Sequence, residues 1–207
     1  YNYFLYQADK FTTGQGQADE LWRALLFRAF TGELTAEWEA THVDLVAEEV
    51  ARLERRPRLA LLALVAQQQA RDAAPVGITS LMKYTFLAQQ EGQTLRQAVN
   101  HLYDFVPYHF GPFTTDVYTD LEALEAESWL SVRHASDDDP DAPERIEISL
   151  SPERVEEVVE AVAELSAAER ADLEAVISQY GDLTHNELLD VVYEKYPAYA
   201  KKSRWRK

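Results

Sequence analysis

A chain of 207 residues with 46% apolar and 11% aromatic content can bury a substantial core, enough for one ordinary domain plus an attached helical element. No stretch approaches the roughly 18 consecutive apolar residues of a membrane span, and the absence of cysteine excludes disulfides and thiolate metal sites, so a cytoplasmic, soluble protein without a membrane partner is expected. Asp plus Glu outnumber Lys plus Arg by 36 to 20, and the formal charge of −16 argues against broad attraction to nucleic acid or anionic lipid.

Tyr1 to Gly16 combine an aromatic run with a Thr-Thr-Gly-Gln-Gly loop. The chain does not begin with Met and is read as part of a longer protein. From Gln17 a helix is predicted, because Leu21, Trp22, Leu25, Leu26, Ala29 and Phe30 form one apolar stripe, with Arg23 and Arg28 off it and Gly32 as a C-terminal stop. The run Glu20-Leu21-Trp22-Arg23-Ala24-Leu25-Leu26-Phe27-Arg28-Ala29-Phe30-Thr31-Gly32-Glu33-Leu34 resembles the end of the last conserved helix in specificity (S) subunits of type I restriction-modification enzymes. That resemblance implies a coiled-coil-type spacer helix, which in the family separates two DNA-reading domains and docks the methyltransferase subunits. Tyr1 to Gly16 is too short for a target-recognition domain, so this chain alone is not expected to choose a DNA site.

Thr35 is expected to cap a helix reaching about Arg55, with Trp38, Leu45, Val46, Val50 and Leu53 available for burial and Glu37, Glu39, Asp44, Glu48 and Glu49 facing water. Pro57 suits the first position of a new helix, whose Leu59, Leu61, Leu62, Leu64 and Val65 read as core. Ala73 to Gly77 is a linker-like break. Thr79 or Ser80 can cap the next helix, with Leu81, Met82, Thr85 and Phe86 on one face and Lys83 pointing elsewhere.

A turn at Gly92 and a short helix from Leu95 to His101 lead to Tyr103 to Phe113, where Pro107 and Gly111-Pro112 predict a packed irregular stretch or a short strand. Thr114 or Thr115 with Asp116 begins a helix carrying Val117, Leu121 and Leu124 and ending before Trp129. Ser131 to His134 and Arg145 to Leu150 read as strands joined by the acidic loop Ala135 to Pro143, so helix, helix and hairpin give a winged-helix outline. Ser151-Pro152-Glu153 opens a helix with Val155, Val158, Val159 and Val162 inward. Ser166 with Glu169 and Thr184 with Glu187 are capping boxes for two more. The last places Leu188, Leu189, Val192, Tyr193 and Tyr196 inward and ends at Pro197.

Charge is polarised along this order. Asp137 to Glu160 carries ten carboxylates against two arginines, whereas Lys201 to Lys207 carries five cations and no acid. A solvated acidic face with a frayed tail, or a binding tail, would each explain that contrast.

Lys83-Tyr84-Thr85-Phe86-Leu87-Ala88, Tyr103-Asp104-Phe105-Val106-Pro107-Tyr108-His109-Phe110-Gly111-Pro112-Phe113 and Leu121-Glu122-Ala123-Leu124 follow one another, and together they resemble the SocA/Panacea-type antitoxin domain family. In that family a helix reading "lqKllyfl" precedes a "y-x-yGP" segment and a helix reading "l-x-x-L-x-x-x-gli". The close, Leu188 to Pro197, resembles a "vYekYP" ending seen with such domains. The resemblance implies a helical module that holds a toxin or another protein and has no catalytic centre of its own. Its hallmark segments hold the candidate partner-binding residues Lys83, Tyr108, His109, Gly111 and Pro112.

No His-Glu-x-x-His pair, P-loop, Gly-x-Ser-x-Gly or Gly-x-Gly-x-x-Gly after a strand is present, so no catalytic residue, metal or cofactor is predicted. A metal-dependent nuclease would have carboxylates in plenty but no recognisable ligand spacing. His109 reads either as a general base, which would need a partner and a cleft, or as a hydrogen-bonded member of an aromatic cluster.

For a winged-helix DNA-binding regulator, Thr115 to Ser128 would be the recognition helix. It carries Asp116, Asp120, Glu122, Glu125 and Glu127 and no cation, the wrong sign for phosphate. DNA contact is assigned instead to Lys201, Lys202, Arg204, Trp205 and Arg206, to Arg23 and Arg28, or to a larger complex. The resulting expectation is a mainly α protein. Residues 1–34 hold the amphipathic helix, and residues 35–207 form a helical domain with a small winged-helix-like β-hairpin near 131–150. Its expected role is a non-enzymatic interaction and regulatory module of a phage-defence system, with a methyltransferase, restriction subunit or toxin as partner.

Overall fold

A computed structural model describes residues 21–97, 100–135 and 145–202, apart from the side chain of Glu37. Tyr1 to Gly16 and most of the acidic loop, residues 136–144, lie outside the described residues, as do Arg204, Trp205 and Arg206. One compact unit ends at Arg52 and the second begins at Leu53, a division inside a helix, whereas the motif order suggests a boundary after Leu34.

In the first unit, residues 21–30 form helix α1, closed where Gly32 adopts a φ of +75°, a left-handed conformation that glycine enters without a Cβ penalty. Helix α2, Ala36–Thr41, follows, and α3 runs unbroken over Val43–Asp72. The single helix expected from Thr35 to Arg55 is therefore interrupted at His42, and Pro57 lies within α3 rather than opening a new helix. Strong helix formers on both sides of Pro57 outweigh the one hydrogen bond its missing N–H removes. Trp38, Leu45, Val50 and Leu53, expected to be available for burial, are exposed.

The second unit is mainly helical with a small antiparallel sheet. Strand β1 (Val76–Gly77) precedes helix α4 (Ile78–Glu91), and strands β2 (Val106–Tyr108) and β3 (Gly111–Phe113) precede helix α5 (Asp116–Ala126). Strands β4 (Leu130–Ala135) and β5 (Arg145–Leu150) then lead to α6 (Val155–Val162), α7 (Ala167–Tyr180), α8 (His185–Lys195) and α9 (Pro197–Ala200). The helix, helix, hairpin order is present as α4, α5 and β4–β5. Strand β5 is central: β1 joins it with Val76 opposite Ile148, and β4 joins it with Val132 opposite Ile148.

β2 and β3 form a separate hairpin with Tyr108 opposite Gly111, two strands where one or none is expected. Of the short helix expected near Leu95 to His101, residues 93–96 form turns and Asn100 lies in a 3-10 turn, with Gln97 N–H donating to Thr94 and Asn100 N–H to Gln97, while positions 98–99 lie outside the described residues. Pro152–Arg154 form a 3-10 turn ahead of α6. Of the valines expected inward on α6, Val158 is buried, but Val155 and Val159 face out.

Helix α4 sits at the centre of this unit. From Ile78 to Gln89 it is buried almost all round, and Leu81, Phe86 and Leu87 meet Leu61, Leu62 and Leu64 of α3, Val117 and Leu121 of α5, Leu173 and Ile177 of α7, and Leu188 and Val192 of α8 in one core. Phe86 makes edge contacts to Phe105, Tyr196 and Tyr199, with ring centroids 5.4, 5.0 and 4.7 Å away.

Both predicted capping boxes form. The Glu169 carboxylate accepts from the backbone N–H and hydroxyl of Ser166 and also from Arg56 of α3, whose Nε lies 2.7 Å from Glu169 Oε1. Burial alone would raise the Glu169 pKa, but the bonds from Ser166 and Arg56 outweigh it and hold the carboxyl below its ordinary value of 4.5. The stabilisation is present above the unfolded-chain value and is lost as pH falls through the lower native one. Glu169→Ala, which strands the buried Arg56 charge and removes a cap, is expected to cost roughly 3–5 kcal/mol at pH 7. Urea unfolding measures it, and the gap between wild type and variant should narrow below pH 4.

Candidate functional site

Because α4 is enclosed, a polar side chain on any of its faces enters the interior. Lys83, expected to point off the apolar face, is only 3% exposed. Its Nζ donates to the Pro112 carbonyl at 3.1 Å, and no carboxylate among the described residues pairs with it. Burial pushes its amine down to about 7. The β2–β3 hairpin lies across it, and Gly111 holds a φ of +90°; a Cβ there would stand 3.1 Å from the Tyr193 ring and 3.4 Å from Lys83 Cε. Glycine is needed at this position for both its dihedral freedom and its lack of side chain.

A cavity of about 150 Å³ opens beside the lysine, lined by Thr79, Met82 and Lys83 of α4, by Tyr108, His109, Phe110, Pro112 and Phe113 of the hairpin, and by Tyr118 of α5. Tyr108 stacks on His109 with centroids 4.1 Å apart and leans on Phe113 at 4.8 Å. Tyr108 and Phe110 are exposed at the hairpin's outer side, while Pro112 is buried beneath it. The Tyr118 hydroxyl is raised by burial. At the start of α8, His185 is lowered by partial burial and then by the positive charge of Lys83.

Lys83, Tyr108, His109 and Pro112, named from separate segments of sequence, line one small cavity, while Gly111 lies against Lys83 and Tyr193 beside it and does not line it. His109 belongs to an aromatic cluster there. Thr79, Met82 and Tyr118 complete the lining, and His185 and Tyr193 approach from α8. Thr79 lies one helical turn before Lys83 and could have been found from that spacing. His185 and Tyr193 carry no local signal linking them to a site about a hundred residues away in sequence.

Lys201 and Lys202 are exposed just beyond α9 and do not line the cavity. Arg28 pairs with Glu33 at 3.4 Å. Among the described residues no group of three or more His, Asp or Glu could hold a metal, and no helix is long and apolar enough to cross a membrane. In comparisons with known proteins, the chain matches no family model and no curated sequence.

Two outcomes are expected. Between pH 7 and 9 the unfolded chain holds the Lys83 proton while the native state increasingly does not, so this residue makes stability rise with pH by up to about 1.4 kcal/mol per unit. Lys83→Met should flatten that slope in denaturant titrations across the range. Gly111→Ala, forced to a positive φ against Tyr193, should lose roughly 1–3 kcal/mol in the same assay.

Proposed function

We propose that this chain is a non-catalytic protein-interaction and regulatory module, serving a prokaryotic type I restriction-modification or related defence system. The observation that carries the reading is the apolar surface of the first unit. Leu21 and Trp22 are 63% exposed, Phe27 64% and Phe30 88%, and Trp38, Val43 and Leu45 are also open. An apolar stripe of this length left open among the described residues of amphipathic helices is the chemistry of a helix-to-helix contact with another chain. The resemblance of Glu20 to Leu34 to a specificity-subunit spacer names the fitting partner, a methyltransferase subunit. The resemblance of the second unit to antitoxin-like domains adds a toxin or restriction subunit as a further client.

A winged-helix DNA-binding regulator is the competing reading, favoured by the helix, helix, hairpin order. Its own helix α5 opposes it: Asp116, Glu122 and Glu125 are exposed there, Asp120 is engaged by Arg58 at 2.9 Å, and no cation lies on the helix. Any DNA contact falls to the basic tail, Lys201, Lys202, Arg204, Trp205 and Arg206, to Arg23 and Arg28, or to the larger complex.

Co-expression with the methyltransferase subunit of a type I system from the same genome should give a complex stable to 0.5 M salt. Trp22→Glu with Phe27→Glu and Phe30→Glu should abolish it while leaving the circular dichroism unchanged. Duplex DNA binding by the isolated chain, weakening with salt and lost on Lys201→Ala with Lys202→Ala, would instead favour the regulator.

A further inference from the structure

The described buried charges of the second unit are answered with one exception. Arg56 and Glu169 pair, and Asp172 accepts the backbone N–H groups of Gln93, Thr94 and Leu95 at 2.8–2.9 Å. Lys83 has a single neutral carbonyl and no opposite charge. A lone ammonium in an apolar interior is costly, and chains usually place a carboxylate or an apolar residue there instead. The cation borders a cavity whose other walls are aromatic and aliphatic side chains, a threonine, a proline and His109, none of them an acid.

We infer that the cavity beside Lys83 is a binding site for a small monocarboxylate with a compact aromatic or aliphatic body. The Lys83 ammonium meets the carboxylate, and Met82, Phe113, Tyr108 and Tyr118 enclose the body. One ammonium balances one negative charge, whereas a phosphate would need several donors at once, and this cavity supplies no second lysine and no arginine from its own walls. Volume sets the body's size: a cavity of about 150 Å³ lined by aliphatic side chains accommodates benzene. The Thr79, Tyr108 and Tyr118 hydroxyls supply further polar atoms around the mouth. The titratable groups facing the amine are Tyr108 and His109 of the hairpin, Tyr118 of α5, and His185 and Tyr193 of α8; a bound anion would favour the charged lysine and ease the neighbouring His185 as well. The site stands independently of the partner surface on the first unit.

The test is an NMR titration of the full chain, carrying ¹³C-labelled lysine, with benzoate at pH 6, and with benzamide as the uncharged match. The Lys83 Cε signal should move saturably with benzoate, with a dissociation constant on the order of 1 mM, a typical strength for so small a ligand. It should move at least tenfold less strongly with benzamide. Affinity should fall about tenfold per pH unit above 7 as the amine loses its proton, and saturation should raise the titration midpoint of Lys83 itself. Lys83→Met should lose the binding; the wild-type shifts make the result readable even if that variant folds poorly.

A parallel arm uses a tetrapeptide ending in Phe, with a free or an amidated C-terminus. Binding of benzoate marks a free acid as the ligand, and binding of the free-ended peptide alone marks the terminus of a chain. Benzoate and peptide both failing to saturate the Lys83 signal would overturn the inference, as would equal binding of benzamide or binding that survives Lys83→Met.

Discussion

Enclosure of α4 is the constraint from which the rest of the second unit follows. A helix packed against α7, α8 and the strands β1, β3 and β5, and buried nearly all round, has no solvent face on which to keep its polar residues, so each must be satisfied by whatever packs nearby. Gln89 does this with both ends of its amide: its nitrogen donates to the Tyr103 carbonyl, and its oxygen accepts from the N–H groups of Leu102 and Tyr103. Lys83 does it with the Pro112 carbonyl. Less than two turns of helix thereby pin both ends of the irregular segment that carries the β2–β3 hairpin.

The same logic runs through the outer helices. Asp172 of α7 caps the turn that leaves α4. Glu91, at the end of α4, accepts from the hydroxyls of Tyr180 and Tyr196 and from Lys195, joining the last turns of α7 and α8 to it. Hydrogen bonds from those groups outweigh the effect of burial and keep Glu91 below its usual range, while burial and the carboxylate raise the Tyr180 hydroxyl. Against this background Lys83 stands apart, because it is held in place by geometry but left without an opposite charge. A core that resolves every other described buried charge has placed this one at the wall of a cavity.

The first unit shows the opposite relation between pattern and packing. Its apolar residues recur with helical period, yet they lie open to solvent. Amphipathicity is a statement about which side chains share a face; what covers that face is a matter for another surface, within the chain or outside it. The contrast with α4 is instructive, since the weaker periodicity belongs to the helix that is buried on every side and the clearer stripe to the one that is open.

Local sequence by itself determined a good deal. The two capping boxes, the stop at Gly32, the strands at 131–134 and 145–150 and the helix, helix, hairpin order all follow from short-range rules, because caps, turns and alternation act between residues a few positions apart. Motif order also picked out Lys83, Tyr108, His109 and Pro112, which the fold gathers around one cavity, and Gly111, which packs against the lysine beside it.

Only the tertiary structure decided that Lys83 is interior, since a helix enclosed by α7, α8 and strands of the sheet and hairpin has no outward face and its burial depends on partners far along the chain. It also decided that α3 continues through Pro57, that Val155 and Val159 face out, and that His185 and Tyr193 come to the lysine. Those outcomes turn on which surfaces meet, and no local pattern of side chains contains that information.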